Sequence, residues 1–169
     1  MRVLAVIGAI AVVVAVGAAL FFFGGYYNVA ATSEEPAVVR WALVKVRMAS
    51  VNRNAGDQAP TSINDPATVQ AGAKAFSAHG CATCHGAPGV NWMKFSEGLR
   101  PDPPGLKYVA AERTPAQLFW VIKNGINMTG MPSFALAGAK DDEIWSMVAF
   151  VKKIADVSEA DYKAWTENK

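Results

Sequence analysis

From Val3 to Phe23 the sequence runs 21 residues without a charge or a strongly polar side chain. As a helix rising roughly 1.5 Å per residue, that run spans about 31 Å, the thickness of bilayer hydrocarbon, and it satisfies its own backbone groups there. Tyr26 and Tyr27 follow as interfacial residues. Arg2, the one charge ahead of the run, places the N-terminus on the cytoplasmic side and the rest of the chain outside. A cleaved signal peptide is the competing reading, with a cleavage site at Val29-Ala30-Ala31. Its apolar region would normally be only about 7–15 residues long, so a retained anchor is expected. Ala11, Ala15 and Ala19 form a small-residue stripe where another transmembrane helix can approach, unless they are simply apolar helix formers.

The pattern then becomes interrupted. Glu34-Glu35-Pro36 signals a helix start, with acids and a proline near the N-terminus. Residues 37–51 are apolar but carry Arg40, Lys45 and Arg47, with Trp41 suited to a headgroup boundary. Val39, Leu43, Val46 and Ser50 share one rough face. Such a helix either lies on the membrane surface or packs on a partner subunit or on the next domain. Residues 52–64 are polar, contain Gly, Pro and Asn, and read as a linker.

Helical signals dominate the remainder. Asp65-Pro66 is an N-cap followed by proline at the first helical position, and that helix runs to about His79. Thr114, Pro115 and Gln117 form a capping-box start for a second helix that stops at Asn124-Gly125. A third starts around Asp141 with three acids and ends near Lys152-Lys153, both suited to the helix dipole. Ser158 to Asp161 caps a final turn or short helix. Gly72 permits a close helix crossing, with Phe76 set against Phe150. The stretch 86–112 is rich in Pro and Gly and predicts a wrapping loop rather than long elements. No alternating strand pattern appears, so the fold is all-α.

Composition narrows the classes. With 52% hydrophobic residues and a net charge of +2, overall disorder is excluded. Sixteen basic and fourteen acidic residues without a Lys/Arg cluster give no support for nucleic-acid binding. At 169 residues the chain holds one small domain plus an appendage.

The chemistry is concentrated at Cys81-Ala82-Thr83-Cys84-His85. Two thiols at this spacing can each add across a vinyl group on one haem edge, and the adjacent histidine falls under the iron, which is the c-type haem attachment signal. A zinc site needs four ligands, and beyond the two cysteines only His79 and His85 exist. A thioredoxin-like pair would need a βαβ setting. Two buried free cysteines would leave His85 unexplained. One motif means one haem.

His79 lies on the same side of the motif as His85 and cannot reach the opposite haem face, so it reads as a solvated residue at a helix end. The sixth ligand is then a methionine. Met1 sits in the anchor, Met48 before the domain, Met93 too close to His85, and Met147 within a helical core pattern. Met131 and Met128 remain. Met131 is preferred, because Gly130 and Pro132 hold it in a stiff, extended loop, with Met128 as the fallback. Trp92, Phe95, Leu106 and Tyr108 are candidates to line the haem, with ordinary packing as the equal alternative for each. Arg100 and Lys107 are candidates to neutralise its propionates, although solvated surface charge is the preferred reading of both.

Over residues 65–157 the sequence resembles class I c-type cytochromes, and among them single-haem, membrane-anchored bacterial forms. The resemblance rests on Gly72-x-x-x-Phe76 with Cys81 to Gly86, on Pro104-Gly105-Leu106, on Asn124-Gly125 to Met131-Pro132, and on Ile144-Trp145 to Phe150-Val151. It implies an N-terminal transmembrane helix followed by a small class I cytochrome c helical domain wrapped around one covalent haem c. It further implies His85 and Met131 as axial ligands and the Pro104 carbonyl as acceptor for the His85 ring N–H. The long insertion between Gly86 and Pro104 departs from shorter family members. The expected organisation is an anchor at 1–25, a juxtamembrane helix and linker at 26–64, the haem domain at 65–157 and a tail at 158–169 with a short helix. The expected role is a non-enzymatic, membrane-tethered electron carrier between membrane redox proteins, on the periplasmic side of a bacterial inner membrane. The alternative is an integral haem c subunit of a larger membrane oxidoreductase, contacting other transmembrane subunits through Ala11, Ala15 and Ala19.

Overall fold

A computed structural model of the chain describes residues 1–167, which form two units divided between Glu35 and Pro36. The first is dominated by α1 (Arg2–Phe23), a 22-residue helix with no buried side chain. A helix apolar on all sides has no stripe to turn toward a core. This one is long and apolar enough to cross a bilayer once. At its end the Tyr27 ring folds back onto Phe21 and Phe22, with centroids 6.2 and 5.3 Å away.

The second unit is helical. In chain order it holds α2 (Ala37–Asn54), α3 (Pro66–Ala78), α4 (Cys81–His85), α5 (Leu106–Glu112), α6 (Pro115–Asn124), α7 (Asp141–Lys153) and α8 (Glu159–Glu167), with short 3-10 turns at Thr61–Asn64 and Lys94–Gly98. Among the described residues there is no regular strand, only an isolated bridge between Ala87 and Val90. The expected all-α architecture is therefore observed.

The core forms where α3 crosses α7. Gly72 makes that crossing possible: a Cβ there would collide with the Ser146 carbonyl and press on Phe150 Cβ at 3.0 Å. The close approach brings Phe76 edge-on to Phe150, centroids 5.1 Å apart, as the sequence predicts. Ile144, Met147, Val148, Ala149 and Phe150 have no exposed surface. Burial of each large side chain contributes roughly 1.5–3 kcal/mol. On α6, Phe119 stacks on Trp145 at 4.1 Å. α5 is tied to α7 by Lys152 Nζ, which donates to the carbonyls of Ala110 and Arg113.

Helix ends follow local chemistry. Thr114 and Gln117 form the reciprocal capping box: Thr114 Oγ1 accepts from the Gln117 N–H at 3.2 Å, and Gln117 Oε1 accepts from the Thr114 N–H at 3.0 Å. Asp65 occupies the N-cap of α3, but its side chain makes no capping bond. Ser158 Oγ accepts from the Asp161 N–H at 3.1 Å at the start of α8. That helix is nine residues long, and its Tyr162 stacks on Phe150 at 5.6 Å, so the segment joins the core.

The helix read at 37–51 extends to Asn54 and packs on α6. Its packed face is not the one that the apolar pattern picks out. Leu43 and Val46 are exposed, whereas Val51 is 3% exposed and Asn52 Oδ1 accepts from Gln117 Nε2 of α6 at 2.7 Å.

Candidate functional site

The second unit encloses an apolar cavity of about 700 Å³, within the range of about 300–1,000 Å³ usual for cofactor sites. Its walls come from α2, the end of α3, α4, the 99–106 segment, α5, α6, the 126–134 loop and α7. Cys81 and Cys84 stand three positions apart on α4, hence on one helical face, and both line the cavity. The Met93 N–H donates to the Thr83 carbonyl at 2.8 Å, which pins the following insertion back onto this turn.

His85 closes the same turn. Its Nδ1 lies 3.0 Å from the Pro104 carbonyl oxygen. A carbonyl only accepts, so Nδ1 carries the hydrogen and Nε2 keeps its lone pair. Burial lowers the His85 pKa, with the Pro104 contact opposing that shift, and so favours the neutral imidazole that binds metals. Burial pushes the Cys81 thiol up to about 12; a bond to its own backbone opposes this and the neighbouring Cys84 adds to it. No cluster of three or more His, Cys, Asp or Glu suited to a metal ion occurs among the described residues.

The 125–134 loop brings in a thioether. Gly125 ends α6 at φ 70°, ψ −171°, a region essentially closed to other residues. From there the chain reverses, and the Ile126 N–H donates to the Met131 carbonyl at 3.1 Å. Thr129 Oγ1 donates to the Ile126 carbonyl at 2.8 Å and accepts from the Met131 N–H at 3.1 Å. Met131 is held in the cavity lining by this frame, while Met128 has positive φ, is 96% exposed and lies outside the lining.

The structure thus gathers Cys81, Cys84, His85, Pro104, Leu106 and Met131 around one cavity. Tyr108 also lines it, whereas Trp92 and Phe95 are exposed and outside, a correction to their reading as haem-lining residues. Lys107 and Arg100 are outside as well. Arg100 is occupied by Asp102 at 2.5 Å and by the carbonyls of Glu97 and Leu99. His79 is less solvated than its position suggests: Nε2 pairs with Glu143 at 3.1 Å and the ring meets Phe134 edge-on at 5.5 Å. The main omission is α2. Arg47, Met48 and Val51 all line the cavity, although the sequence places Met48 before the domain. Their spacing over one helical turn was the available signal.

Two thiols on one helical turn, an imidazole with a free Nε2 and a thioether, all lining an apolar cavity, fit a haem held at its edge and at both faces. Helices arranged around such a site define a class I c-type cytochrome domain, an electron-transfer module whose haem c is covalently attached. A family model described as cytochrome c oxidase, cbb3-type, subunit III matches residues 67–151, half of the chain, and the chain belongs to that family. Comparisons with curated proteins and with solved structures gave no match.

Proposed function

We propose that the chain is a membrane-tethered, single-haem electron carrier on the periplasmic side of a bacterial inner membrane, passing one electron at a time between membrane redox proteins. The observation that carries this reading is the convergence of His85 and Met131 on one cavity beside Cys81 and Cys84. The two cysteines, the only ones in the chain, would hold one haem through thioethers. His85 Nε2 and the Met131 sulfur would hold its iron. The bound haem supplies a one-electron Fe(III)/Fe(II) couple, which methionine ligation shifts to higher potential. The protein's own task is positional. Pro104 orients the imidazole, the Thr129 frame holds the thioether, and the apolar walls keep water away. No side chain need act as acid or base. α1 confines the domain near the bilayer and raises its effective concentration around membrane partners.

The ferric methionine–iron charge-transfer band tests this reading on the full chain in detergent. The band should be present and should persist with added cyanide. Its absence would favour an enzyme or sensor that binds a ligand at iron.

The family description favours a second reading, a fixed subunit of a membrane oxidoreductase. Ala11, Ala15 and Ala19 would then meet another transmembrane helix. Extraction in mild detergent separates the two: co-purifying redox subunits support the complex, and recovery only as a lone monomer supports the carrier.

A further inference from the structure

We propose that α2 is the lid of the haem site and that Arg47, with Arg113 of the same lining, receives the haem carboxylates. This rests on the haem reading above. A haem is apolar except for its two propionates. Burying a carboxylate is costly unless a cation and hydrogen bonds meet it. The guanidinium fork matches a carboxylate in two-point geometry.

The cavity lining contains two arginines and no lysine. It also contains two acids, Asp102 and Glu112, and each already faces an arginine: Asp102 faces Arg100 at 2.5 Å, and Glu112 faces Arg113 at 3.8 Å. Arg47 is half-buried and has no acidic partner among the described residues. Among the described residues it is therefore the lining cation that no carboxylate satisfies. Its position is fixed rather than incidental. One turn further on, Val51 is buried and Asn52 is bonded to Gln117, itself a lining residue and part of the α6 capping box. Arg113 is anchored from the other side, where Lys152 Nζ donates to its carbonyl at 3.1 Å. Met48 and Val51 add apolar cover on the same helix.

A cation at the haem edge favours the ferrous state, whose charge is one unit less positive. Removing it lowers the potential. The test is an equilibrium redox titration of the full-length, haem-loaded chain in detergent, with resonance Raman spectra of the propionate bending modes. Arg47→Gln should shift the one-electron equilibrium toward Fe(III) by three- to tenfold, about 30–60 mV at 59 mV per tenfold. It should also move the propionate bands. Arg47→Lys should restore most of the potential while still altering the bands. Arg40→Gln, which removes an exposed charge from the same helix outside the lining, should change neither.

An unchanged potential and unchanged propionate bands in Arg47→Gln overturn the proposal. Equal shifts from Arg40→Gln and Arg47→Gln overturn it too, because net charge would then explain both. Should Arg47→Gln fail to accumulate, propionate bands unmoved in Arg47→Lys are sufficient to reject it. Absence of covalent haem in the unmutated chain is a separate outcome, which removes the haem reading itself.

Discussion

Gly125→Ala should damage both the stability of the domain and the placement of Met131. Two costs combine. The backbone at φ 70°, ψ −171° is open essentially to glycine alone, and holding another residue there costs about 1–3 kcal/mol. A Cβ at this position would also lie 2.6 Å from the Pro132 carbonyl carbon, 2.7 Å from Ser133 N and 2.8 Å from the Met131 carbonyl oxygen. All three contacts are with backbone, so no side chain can swing aside. The loop must retreat by several tenths of an ångström, and overpacking of this kind costs about 1–3 kcal/mol. A total of about 2–6 kcal/mol corresponds to a fall in Tm of roughly 7–20 °C for a unit of about 130 residues. The retreating atoms belong to Met131 and its neighbours, so the ferric methionine–iron band should weaken even at temperatures where the variant is folded. Thermal unfolding followed by Soret circular dichroism, with the band recorded in parallel, measures both effects. Gly98→Ala is the internal control, because a Cβ there meets nothing within 4 Å, and its effect should stay within about 0.5 kcal/mol. A Gly125→Ala variant with control-like stability and a full-strength band would refute the reasoning.

Other outcomes follow from the same geometry. Met131→His should retain the haem but lower the reduction potential, whereas Met128→Leu and Met48→Leu should leave the methionine band intact; loss of the band in either of those two would reassign the ligand. Thr114→Ala removes one arm of the capping box and should cost about 1 kcal/mol, seen as a fall in Tm of a few degrees with an unaltered spectrum. Cys81→Ala or Cys84→Ala should weaken or abolish covalent attachment, read by whether haem leaves the chain on acid–acetone extraction.

The parts legible in the sequence were those set by short-range chemistry. The uninterrupted apolar run gave α1, and Thr114-Pro115-x-Gln117 gave the start of α6 almost to the residue. Gly72 and Phe76 placed the α3–α7 crossing because that contact needs a missing Cβ at one point. The attachment motif is contiguous, so its geometry is local. Less visible was whatever depended on tertiary placement. The amphipathicity of α2 is weak, and Leu43 and Val46 point away from the surface it covers; the packed turn is marked only by Arg47, Met48 and Val51. Trp92 and Phe95 read as cavity-lining because they are large and apolar, yet in the folded chain both are exposed and outside the lining, a placement that their size and polarity do not encode. Arg100 reads as solvated surface charge, and what the sequence does not show is that its guanidinium is taken up locally by Asp102 and two carbonyls.

The most direct test of the central claim is the mass of the denatured polypeptide, made in cells competent to mature c-type cytochromes. The account predicts the chain plus one haem, with the added mass lost in the Cys81→Ala, Cys84→Ala double variant. A polypeptide at the bare chain mass would contradict it.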